Sequence, residues 1–171
     1  MGVTVHFEGK LRGEDAYLSL VAAVRSFATQ RGWPIQPFEI SETLLRRVRD
    51  EKDWDYRGPT KGIELCPHPS SESIRLEFDD QLYIQEYTKT QFAPVQVHMD
   101  LILLLRELAP YFEHLGVFDE GEYFESANER VLKSHLNRCF EVLDERLAND
   151  RSLRGPVRLP SGRIADLVSD A

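Results

Sequence analysis

The chain has little that could staple, coat or anchor it. Its two cysteines, Cys66 and Cys139, stand at neither a paired nor a metal-ligand spacing, which excludes a disulfide framework and a cysteine-built zinc site and points to a reducing, cytoplasmic setting. The longest apolar run, Leu101 to Leu105, falls far short of the roughly 20 residues a membrane helix needs. The opening MGVTVHFEGK lacks the apolar stretch of a signal peptide. Basic residues are also scarce: 21 against 29 acids leave a net charge of −8, a sign that repels the phosphate backbone and argues against nucleic acid as a partner. No phosphate-binding loop, dinucleotide glycine motif, zinc-protease helix, nucleophile elbow or paired-cysteine redox motif occurs, so five large enzyme classes are disfavoured and no cofactor is expected.

What is present is patterned. Val3, Val5 and Phe7 alternate with Thr4, His6 and Glu8, the period of a strand with one buried face. Tyr17, Leu20, Val21, Val24, Phe27 and Ala28 then follow helical spacing, opened by Glu14 and Asp15 and closed by Arg31-Gly32. Prolines and glycines break residues 33 to 60, where the stretch TLLRRVRDEKDWDY is read as strand rather than helix. SIRLEFDD and QLYIQEYTK read as meander strands turning at Asp79-Asp80. A second helix is expected from Pro94 at its first position, with Val97, Leu101, Leu104, Leu105 and Leu108 as a broad buried stripe. LGVFDEG is a short final strand. Ser126-Ala-Asn-Glu129 reads as a capping box opening a third helix with Leu132, Leu136, Cys139, Phe140, Leu143 and Leu147 on its inner face.

Strands in runs between separated helices argue for an α+β fold: one domain over residues 1–149, a mainly antiparallel sheet of about five or six strands covered by three helices. Residues 150–171 are expected to form a flexible or docking tail, with too few apolar groups to be needed for folding. The tail and the body differ in charge. Four arginines against two aspartates make residues 151–171 net +2, leaving −10 on residues 1–150.

Three stretches carry residue types capable of chemistry. In VFDEGEYFES, Asp119, Glu120 and Glu122 are suited to a hard cation if the fold brings in His98 or His68, but the same residues suit a turn and the start of a helix. CPHPSSES offers Cys66 and His68 without an orienting partner, and the alternative is a rigid loop with Cys66 as a small buried hydrophobe. In KTQFAPVQVHMD, His98 shares a face with Ile102 and Leu105 and reads as a buried, hydrogen-bonded histidine, while His6 reads as an ordinary surface or boundary residue. Aromatics beside acids on a wet sheet face, among them Trp33, Trp54, Tyr56, Tyr83 and Tyr87, have the composition of a protein-binding surface. The leading expectation is a non-catalytic acidic domain that binds a basic protein surface, as inhibitor, immunity or chaperone proteins do, through Asp119, Glu120, Glu122, Trp54, Tyr83 and Tyr87. The competing expectation is a small metal-dependent hydrolase built on His98, Asp119, Glu120 and His68.

Overall fold

The chain runs β1 (Thr4–Leu11), α1 (Glu14–Arg31), β2 (Ile35–Leu45), β3 (Val48–Arg49), β4 (Lys52–Asp53), β5 (Tyr56–Leu65), β6 (Ile74–Phe78) and β7 (Tyr83–Lys89). It continues through α2 (Val95–Leu108), a 3-10 turn, β8 (Phe112–Asp119), α3 (Tyr123–Ser126) and α4 (Glu129–Asn149). Four two-residue strands follow: β9 (Leu153–Arg154), β10 (Val157–Arg158), β11 (Ile164–Ala165) and β12 (Val168–Ser169). The structure is a computed structural model that describes residues 2–169, so the tail's last residues, 170 and 171, lie outside the described residues. The fold is α+β, with every pairing antiparallel.

Alternation in β1 decides the layering. Val5, Phe7 and Leu11 are buried, while His6, Glu8 and Lys10 lie on the opposite face. β1 is the centre of the sheet β7-β1-β8, and a second sheet, β2-β5-β6, sends Ile63, Leu65, Ile74, Leu76 and Phe78 into the same core. The six long strands therefore form two three-stranded sheets rather than one. β6 and β7 are joined at their ends by backbone bonds from Glu72 to Lys89 and from Asp79 to Tyr83.

α1 covers this core with Leu20, Val24, Phe27 and Ala28, and ends at Gly32, whose left-handed φ of 67° lets its N–H reach the carbonyls of Ala28 and Thr29. α2 is the most buried helix: Leu101, Leu104 and Leu108 are at most 1% exposed. Pro94 stands one position earlier than expected, as the N-cap. No helix among the described residues is long and apolar enough to cross a membrane.

Two expectations at the third long helix need correction. Ser126 does not cap it: Ser126 ends α3, Ala127 takes a left-handed φ of 49°, and Asn128 is the N-cap, accepting the Arg130 N–H at 2.9 Å. The cause lies upstream, because Asp119 organises a separate helical turn before α4 begins. Of the expected apolar stripe only Leu132 and Leu136 are buried, against Val3, whereas Phe140 is 38% exposed.

The segment after Asn149 lies on the body. Ile164 is buried, and Arg163 reaches Glu72 and Glu86 at 3.1 and 2.9 Å. Lys89 holds Asp166 at 2.8 Å, and Arg158 donates to the carbonyls of Pro69 and Ser71.

Candidate functional site

The acidic stretch is taken apart by strand alternation. Asp119 ends β8 pointing inward, 3% exposed, and accepts the N–H groups of Gly121, Tyr123 and Phe124 at 2.7, 2.8 and 2.9 Å. His98 Nε2 approaches the same carboxylate at 3.1 Å, and His98 Nδ1 lies 2.8 Å from Thr90 Oγ1. Burial pushes the Asp119 carboxyl up, but its hydrogen bond and attraction to His98, with the N–H groups of Phe124 and Gly121, outweigh burial and hold it below the usual carboxylate range. Gly121 is needed beside it, since a Cβ there would stand 2.5 Å from Leu132 Cδ1 and 3.2 Å from His98 Cε1.

Glu120, next along, faces the other way. It accepts the Thr4 N–H at 2.9 Å and stands 3.9 Å from His6 Nε2. Glu122 sits at a left-handed φ of 55° and bonds His135 at 2.7 Å. His68 accepts the Ser70 N–H within its own loop. Of the four expected metal ligands only His98 and Asp119 meet, and among the described residues no group of three or more His, Cys, Asp or Glu side chains is arranged to hold a metal ion. Cys66 is exposed rather than buried, with Ser73 Oγ at 3.8 Å as its polar neighbour.

A broad concavity lies on the open face of β7-β1-β8, the side away from α1 and α2. It is a trough of about 710 Å³. Antiparallel register sets its floor in rows. Glu8 lies between Gln85 and Gly116, and His6 lies between Tyr87 and Phe118, with ring centroids 5.7 and 5.8 Å apart. Residues Leu44 to Val48 form the wall. Gln85 fastens that wall: its Oε1 accepts the Val48 N–H at 3.0 Å and its Nε2 donates to the Val48 carbonyl at 2.8 Å. Around the trough Phe118 is 63% exposed, Val48 56%, Tyr87 42% and Leu44 40%.

The polar lining is specific. Glu8 Oε2 accepts from Tyr83 Oη at 2.6 Å and Gln85 Nε2 at 2.8 Å, and these two bonds hold the Glu8 carboxyl below its ordinary value despite partial burial. Burial, and then the bond to Glu8, push the Tyr83 phenol up. At the far end Arg163 stacks 3.8 Å from the Tyr87 ring centre and pairs with Glu86. Arg46, at the rim, is paired with Asp55.

No protein-family model, curated protein or solved structure matches the chain. Its own geometry carries the reading.

Of the residues expected to face a partner, Tyr87 lines the trough, Tyr83 is bonded to its floor at Glu8, and Trp54 packs edge-on against Tyr83 at 5.1 Å. Asp119 is not available to a partner. His6, Glu8, Gln85, Val48 and Phe118 escaped sequence reasoning. Parity held the signal for three of them: His6 and Glu8 fall on the wet positions of β1, and Phe118 is a large apolar residue at a wet position of β8.

Proposed function

We propose that the protein is a non-catalytic, cytoplasmic interaction domain that binds a protein partner through the trough on the open face of β7-β1-β8. The observation that carries this reading is the clustering of exposed Phe118, Val48, Tyr87 and Leu44 around one concavity, where scattered apolar residues would need no explanation. Aromatic anchors beside a few fixed polar groups are the composition of an interface centre. The excess of acids favours a basic partner, which would be attracted at long range and released from that attraction by salt. Both cysteines are unpaired in the fold, in keeping with a reducing compartment.

The test places a photo-crosslinking phenylalanine analogue at position 118 or at position 18, since Leu18 is 65% exposed on α1, which covers the opposite side of the sheet. Crosslinked adducts in native extract are expected at 118 and not at 18. They should weaken as salt is raised through the range where the screening length falls below about 8 Å. Equal labelling at the two positions would overturn the proposal.

A further inference from the structure

We infer that the trough holds an arginine side chain of an extended partner segment against Glu8 and Phe118; this rests on the reading of the trough as a protein-binding site.

One carboxylate oxygen on the floor of the trough is unused. Tyr83 and Gln85 both bond Glu8 Oε2, from the β7 side, while Oε1 takes no hydrogen bond among the described residues. The two cations that line the trough are occupied elsewhere, Arg46 by Asp55 and Arg163 by Glu72 and Glu86. Arg49 acts on Glu8 from a distance, with its guanidinium stacked 3.4 Å from the Trp54 ring centre. Among the described residues Glu8 thus makes no salt bridge, and it stands as an ionised acid in the middle of the floor with Arg49 as its more distant cation. On its β8 side stands Gly116, where an added Cβ would meet nothing closer than 3.7 Å. That side is open.

The occupant of the open space is specified by what adjoins it. Phe118 stands on the same face of β8 as Gly116, one row along, and its ring is among the most exposed apolar groups of the protein. A carboxylate beside an exposed aromatic ring suits a planar guanidinium, which pairs with the acid and stacks on the ring. The protein already fills one such place by itself. Arg163 lies over Tyr87 and pairs with Glu86 at the other side of the same row of rings. Glu8 with Phe118 is the counterpart that none of the described residues occupies.

Spacing determines the rest of the ligand. Rows on one face of a strand repeat at roughly 6.6 to 6.8 Å, the distance between alternate side chains of an extended peptide. An arginine on the Glu8 row therefore brings the side chain two residues away onto the rings of His6, Tyr87 and Phe118, where an aromatic or aliphatic group fits. The recognised element is an arginine two positions from a large apolar residue.

A phage-displayed library of random nonapeptides, selected on wild-type protein and on the Glu8→Gln and Phe118→Ala variants, tests this. Wild type is expected to enrich arginine two positions from an apolar residue, Glu8→Gln to lose the arginine and keep the apolar preference, and Phe118→Ala to lose both. The best peptide, synthesised, should bind wild type at least about tenfold tighter than its citrulline version, as a charge-assisted contact requires, and Glu8→Gln should erase that gap. Apolar enrichment without arginine, or equal binding of the citrulline peptide to wild type, overturns the arginine site and leaves the trough reading standing. If no enrichment depends on Phe118, the trough reading falls and this inference with it. Thermal melts of the variants establish that they are folded; the arginine and citrulline comparison on wild type decides the matter without them.

Discussion

Asp119 shows how local geometry can turn one side chain inward and occupy its oxygens. A carboxylate with three backbone N–H donors and a histidine is a capping group, and its worth is set by bonds to a charge. Asp119→Asn is expected to cost roughly 1.5 to 3 kcal/mol at neutral pH, read from urea unfolding. Its folded-state pKa is depressed, so the contribution is full above the unfolded value near 3.9 and is lost as pH falls through the folded-state pKa. The gap between wild type and Asp119→Asn should accordingly shrink below about pH 4; a gap that stays constant to pH 2 would contradict the assignment. A second residue-scale case lies at the tip of β3-β4, where Asp50 and Glu51 have φ of 49° and 61°, a two-residue turn with both centres left-handed. Glycine tolerates that region and glutamate does not, so Glu51→Gly is expected to raise stability by about 1 kcal/mol.

At the scale of elements, the β3-β4 hairpin is held through Arg47. This arginine is 3% exposed, pairs with Asp79 at 2.7 Å, donates to the Tyr83 carbonyl at 3.1 Å and lies among the rings of Trp54, Tyr56 and Tyr83. Removing one member of a buried ion pair leaves the other uncompensated. Asp79→Ala should cost roughly 3 to 5 kcal/mol and raise hydrogen exchange at the Val48 and Trp54 amides, because the hairpin that walls the trough loses its anchor. Local exchange unchanged from wild type would show that Gln85 alone holds the wall. α2 has a different role. Leu104 is 0% exposed in the shared core, and Leu104→Ala is expected to cost roughly 2 to 5 kcal/mol by denaturant titration; a value under about 0.5 would contradict the packing.

For the whole molecule, the opposite charges of body and tail find their meaning in contacts. Glu72, 2% exposed, accepts from the Ile164 N–H at 2.8 Å and from Arg163, so the tail supplies partners to a buried acid of the body. Truncation after Asn149 is expected to cost about 2 kcal/mol, lowering the melting temperature by roughly 4 to 8 °C for a chain of this size. Arg163→Ala should reproduce most of that loss. A truncated protein melting within about 2 °C of the full chain would mean that these contacts add nothing measurable.

Period and composition determined the elements. β1, α1, the meander strands and the buried stripe of α2 were legible because alternation and 3.6-residue spacing are local, and burial follows from them wherever one face must leave water. The inward histidine at position 98 was legible for the same reason. Tertiary structure alone decided what joined what. It set Asp119 against His98 and turned Glu120 to the other face, displaced the start of α4 from Ser126 to Asn128, divided six strands between two sheets, and brought Leu44 and Val48 over Phe118 and Tyr87. Each of these depends on contacts between residues far apart in the chain, and no local period encodes which distant surface a side chain will meet.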